Sequence, residues 1–184
     1  MPTQIKSVPG LKNLYDACPK EIQDYFRHIP KLLDLFPMDV CLAYVFSQLE
    51  LGQNMAIYCG VVKLHKANAE LARRAVSVHH MTRDGFLDLY KTVFDFEIPA
   101  SALKDFNSAA KTRDKIMHGK TANGDEIRNA IARVLEFADE INKQLQSKCG
   151  FKPYGPLRGF SGRMKKLDKQ TTRFMLKGMG FGIS

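Results

Sequence analysis

From Ile127 to Leu145 the apolar residues Ile127, Ile131, Val134, Ala138, Ile141 and Leu145 return by fours and threes. That is the period of an α-helix with one buried face, and it constrains the fold more than any other feature of the chain. Asn123, three residues before Glu126, reads as a capping box that opens this helix, and Gly150 ends it. The same period recurs upstream. A long segment beginning at Asp39 places Leu42, Val45, Phe46, Leu49 and Ala56 on one face, while Gly52 and Gly60 allow either a kink or close packing. Thr82 caps a helix through about Phe94 that turns Phe86, Leu89, Tyr90 and Val93 inward. After the turn at Glu97-Ile98-Pro99, Ser101 opens a helix that runs to His118, and Gly119 sits where a left-handed C-terminal residue belongs. No segment alternates as a strand would, and there is no internal repeat. The expected fold class is all-α, an antiparallel helical bundle of four or five helices with an irregular basic C-terminal tail.

The chain has 184 residues, a comfortable length for one domain. Three regions are expected: an arm at 1–37 with one short helix, a bundle at 38–149, and a tail at 150–184. In the arm, Pro19 suits a helix start, and Ile22, Phe26 and Ile29 follow until Pro30 interrupts. Residues 67–78 either continue the long helix or follow a break. The formal net charge is +9 and it is unevenly placed. Residues 151–184 carry eight Lys and Arg against Asp168 alone, a net +7, while residues 1–150 hold the other 20 bases and 18 acids. Six glycines punctuate that tail, and Phe151, Phe160, Phe174 and Phe181 interleave with its cations. Such a segment is read as flexible or docked. Cations with aromatics suit phosphate contact and base stacking, and suit docking onto a protein equally well.

Several classes are disfavoured. Cys18, Cys41, Cys59 and Cys149 lie far apart, and His79-His80 has no partner at ligand spacing, so no metal site and no cofactor are expected. Free thiols fit a reducing, cytoplasmic setting. The first ten residues hold no apolar run of the kind a secretory signal needs. The apolar stretch from Val40 to Leu64 is broken by Gln48, Glu50, Gln53, Asn54 and Lys63, so it reads as a buried core helix and not a membrane span.

Chemistry concentrates on the helix from Ser101 to His118. Three and four residues from Arg113 stand Ala109, Ala110, Ile116 and Met117, with Leu103 and Phe106 extending that face. A guanidinium on an apolar stripe needs a carboxylate partner or a water-filled cleft. His118 lies about 140° farther around the helix. Its own face carries Lys111, Asp114 and Lys115, with Asp114 placed to bond the imidazole, and Lys120 follows. An Arg to hold a phosphate, a His to move a proton and lysines to attract the backbone make a phosphodiester-cleaving set. A helix-terminal His also complements the helix dipole, and a buried Arg also forms salt bridges, so spacing leaves a structural role open.

The string Arg113-Asp114-Lys115-Ile116-Met117-His118 resembles the R-x(4–6)-H motif of HEPN domains, the higher eukaryotes and prokaryotes nucleotide-binding family. A polar residue often follows the Arg there, and Asp114 fits. The context is similar as well: a helix ending in the motif His, a Gly-containing loop, then a long amphipathic helix. The resemblance covers roughly residues 38–148. It implies an all-α bundle that dimerises so that two motifs line one cleft, and a metal-independent endoribonuclease of the kind that serves as a toxin or defence effector. Arg113 would then bind the scissile phosphate and His118 act as general base or acid. Asp114 would orient the motif, and Lys111, Lys115 and Lys120 would contact the RNA. The resemblance also leaves room for a non-catalytic dimerisation or RNA-binding module, or a regulator of a nucleotidyltransferase. The expected partners are therefore RNA, a second copy of the chain, and an antitoxin or nucleotidyltransferase, with no membrane.

Overall fold

The computed structural model describes residues 4–157 and 165–183. Among them it contains nine α-helices and no strand. The helices are α1 (Val8–Ala17), α2 (Lys20–Tyr25), α3 (Ile29–Leu35), α4 (Met38–Lys63), α5 (Ala69–Val78), α6 (Arg83–Phe94), α7 (Ala100–Met117), α8 (Gly124–Cys149) and α9 (Lys169–Gly178). The all-α class holds, but four or five helices was too low a count.

The undercount has a physical cause. Helices of six to ten residues complete too few turns to display a period, and residues 8–35 carry three of them. Pro30 stands in the first turn of α3, where its missing N–H has no intrahelical partner to lose, so it begins a helix and does not break one. The irregular tail is likewise corrected. Asp168 caps α9 by accepting from the Gln170 and Thr171 N–H groups at 2.8 and 2.9 Å. Phe160, Arg158, Arg163, Gly159 and Gly162 lie outside the described residues.

The long elements follow their patterns. In α8 the six periodic residues Ile127 through Leu145 are all buried. The capping box is formed, with Glu126 N–H donating to Asn123 Oδ1 at 2.8 Å and Asn123 N–H donating to Glu126 Oε2 at 2.9 Å. Thr82 Oγ1 accepts from Gly85 N–H and caps α6. The stretch at 64–68 is a break, and Asn68 caps α5 by accepting from Leu71 N–H. No helix among the described residues is long and apolar enough to cross a membrane.

Two compact units divide the chain. The first takes the described residues of Met1–Glu50 and Pro99–Lys143. Its core includes Leu11, Ile22, Phe26, Leu42, Val45 and Ile131. Phe106 stacks on Phe137 at 4.6 Å between ring centroids and tilts against Phe46 at 6.5 Å. Ile5 N–H donates to Asn129 Oδ1, tying the N-terminal segment to α8.

The second unit takes Leu51–Ile98 and the described residues of Gln144–Ser184. Here Tyr154 is fully buried against Gly52, where a Cβ would collide with its ring. Gly60 makes the same kind of room for Val93 and Phe94, so both glycines serve close packing. Helix α9 packs on α5, burying Thr172 and Leu176. Leu167 N–H donates to Lys66 O at 2.8 Å, and Asn68 N–H to Thr172 Oγ1 at 3.1 Å. The described C-terminal residues are thus part of this unit.

Candidate functional site

Helix α7 ends as its glycine directs. Gly119 takes φ +71°, its N–H donates to Ile116 O, and Lys120 N–H reaches back to Lys115 O, both at 2.9 Å. These two bonds form a Schellman motif, which absorbs the last carbonyls of the helix. They leave His118 at the C-cap, exposed to solvent.

Arg113 lies one and a half turns earlier and turns toward α4. The buried Phe106, Ala109 and Ala110 face the core, whereas Ile116 is half-buried and Met117 is 65% exposed. The apolar stripe around Arg113 therefore opens to water at its C-terminal end. The guanidinium stands 5.2 Å from the Phe46 ring centroid, a cation–π distance. Nη2 donates to Glu50 Oε1 at 3.1 Å, and Nη1 lies 3.4 Å from Asp114 Oδ1. Nε is buried and has no hydrogen-bond partner among the described residues. The carboxylate that the stripe demanded is thus present twice over. Asp114, expected beside the imidazole, has its carboxylate against Arg113.

The lysines divide. Lys115 is engaged by Glu126, at 3.0 Å to Oε2. The Lys115 hydrogen bond first, and the Asn123 backbone N–H second, hold the Glu126 carboxyl below its ordinary range. Lys111 and Lys120 are exposed and have no carboxylate partner among the described residues. Arg113 with Glu50 and Asp114 carries no net positive charge, so long-range attraction for an anion falls to those two lysines.

A cleft of about 620 Å³ opens between α7 and α8 within this unit. Lys111, Thr112 and Lys115 line one wall and Asn129, Arg133 and Glu136 the other. Arg133 Nη1 donates to Ser108 Oγ at 2.6 Å and its Nε lies 3.8 Å from Asp105 Oδ1. Glu136 opens to solvent, yet desolvation by its surroundings, and secondarily Asp105, push its carboxyl above the ordinary range. His118 falls three residues beyond Lys115, within about 60° of the same side of α7.

Sequence reasoning missed Glu50, Phe46 and the Arg133–Glu136 wall as parts of this site. Glu50 had one signal, its place as the one acid in the mainly apolar stretch from Val40 to Leu64. All four cysteines are free thiols, and burial pushes Cys41 and Cys59 up to about 12. Among the described residues no group of three or more His, Cys, Asp or Glu is placed to hold a metal ion. Compared with protein-family models, with curated proteins and with solved structures, the chain matches none.

Proposed function

We propose that this chain is an endoribonuclease of the HEPN kind, in which Arg113 and His118 act on the scissile phosphate. The observation that carries the reading is the end of α7. A guanidinium is fixed by Phe46 and Glu50, and an imidazole stands exposed at the C-cap of the same helix. The fixed Arg would neutralise a non-bridging phosphate oxygen. One imidazole takes the proton from the RNA 2′-hydroxyl as the 2′-oxygen–phosphorus bond forms. Another gives a proton to the 5′-oxygen as its bond to phosphorus breaks. The products are a 2′,3′-cyclic phosphate and a free 5′-hydroxyl, and no metal takes part in these steps.

That scheme uses two imidazoles per cleavage. Arg113 and His118 leave α7 about 140° apart, so a two-fold pair of chains would supply base and acid to one cleft. Exposed Met117, between them in sequence, supplies apolar surface for such a contact. An antitoxin or a nucleotidyltransferase would be the restraining partner in a toxin or defence role.

A second reading has its own support. Glu50 and Asp114 give Arg113 what a structural ion pair requires, which suits a non-catalytic dimerisation or RNA-binding module. One experiment separates the two. Purified protein should cleave single-stranded RNA in the presence of a chelator and leave cyclic-phosphate ends. His118→Ala and Arg113→Ala should each lower the rate by roughly 100- to 10,000-fold while retaining helicity. Undiminished cleavage by both variants would overturn the assignment, and no cleavage by any form would favour the module.

A further inference from the structure

We propose that the polar cleft between α7 and α8 is a nucleotide subsite that prefers a base bearing an exocyclic amino group. The proposal rests on the ribonuclease reading for its substrate class, and on the cleft for its chemistry. About 620 Å³ is within the size range of small-molecule sites, and polar groups converge on it from both walls.

The walls are chemically unlike. On α7, Ser108, Lys111, Thr112 and Lys115 recur by threes and fours along one side. Lys115 is held by Glu126, whereas Lys111 has no carboxylate partner among the described residues. The Thr112 hydroxyl is turned back onto Ser108 O at 3.5 Å, so Lys111 is the free donor for a phosphate on this wall. Asn129 is committed, since its amide accepts from Ile5 N–H and donates to Asp125 O. On the same wall, Arg133 is turned onto Ser108 and Asp105, which leaves the Glu136 carboxylate as the acceptor at that end.

The axial order of the cleft follows from the contacts across it. Lys115 meets Glu126 and Ser108 meets Arg133, so the two helices run antiparallel there. In that register Glu136 stands opposite about residue 105, six residues or about 9 Å of helical rise from Lys111, comparable to the span from a nucleotide's phosphate to its base edge. A carboxylate accepts from the amino group of cytosine or adenine, while uracil presents no amino group to it. Continuing along the same side of α7, His118 follows Lys115 by three residues. The phosphate at His118 would therefore adjoin the nucleotide in the cleft.

Calorimetry on the full chain with cytidine 5′-monophosphate and uridine 5′-monophosphate tests this directly. The cytidine nucleotide should bind about tenfold more tightly, the worth of one hydrogen bond to a charged group. Glu136→Ala, at an exposed helix position, should erase that preference. Lys111→Ala should weaken both nucleotides equally. Equal binding of the two nucleotides by the unaltered protein, an undisturbed preference in Glu136→Ala, or binding of neither would each overturn the proposal. RNA cleavage followed in parallel reports on Arg113 and His118, so loss of the ribonuclease reading and loss of the subsite are told apart.

Discussion

At Arg113 one guanidinium meets the Glu50 and Asp114 carboxylates and the face of Phe46. Both carboxylates are partly exposed, so each pair stabilises by no more than about 1 kcal/mol. Glu50→Gln should therefore change stability by less than about 1 kcal/mol and, by removing one of the two negative charges beside Arg113, tighten RNA binding. Denaturant titration and RNA affinity check the two halves; a large stability loss with unchanged affinity would mark Arg113 as structural. Arg113's need for an acid was legible in the apolar neighbours Ala109, Ala110, Ile116 and Met117. Glu50 as the acid was not, because the pairing spans 63 residues and only tertiary packing brings it about. Cysteine chemistry is also decided residue by residue. With Cys41 and Cys59 pushed up to about 12 and Cys18 to about 11, a thiol reagent at neutral pH should label native protein slowly. All four should react once the chain is unfolded.

Helix ends and helix contacts set the next scale. Glu126 has its folded pKa below the ordinary 4.5, so its stabilisation is full above that value and is lost as pH falls through the lower folded value. Glu126→Gln should flatten the loss of stability between neutral pH and about pH 3, measured by urea midpoints. Asn123→Ala removes the other half of the capping box and should cost about 1 kcal/mol. Both halves of this cap were legible, since a capping box is written within four consecutive residues. Gly119 was legible for the same reason. The role of Gly52 was not, because its partner Tyr154 is about a hundred residues away and is fully buried. Gly52→Ala should destabilise by about 1–3 kcal/mol, since the Tyr154 ring has nowhere to move. Helix α9 escaped notice because only ten residues, set among glycines, carry its amphipathic pattern.

For the whole molecule, charge and assembly matter more than any one contact. A pair of chains sharing the α7 ends should give a light-scattering mass of twice 20.8 kDa at micromolar concentration. Its interface should bury on the order of 1,200 Å² or more. Truncation after Gly150 would remove buried Phe151, Tyr154, Leu176 and Phe181, so it should lower the melting temperature sharply. RNA contact by this region is better tested with the fold intact. Arg173 and Lys177 are exposed on α9 beside Phe174, which is 83% exposed. If both cations touch phosphate, Arg173→Gln with Lys177→Gln should flatten the salt slope of RNA binding by about 1.4. An unchanged slope would leave docking onto a protein as the role of that face.

The attachment of α9 to α5 also fixes an order of events during synthesis. The Asn68 amide bonds a hydroxyl 104 residues later in the chain, and the inner face of α5 is covered by a helix that begins at Lys169. A ribosome adding about 5–20 residues per second therefore releases α5 some 5–20 s before its cover exists. Throughout that interval the apolar side of α5 is available to chaperones or to other nascent chains, until the residues of α9 have been made and close over it.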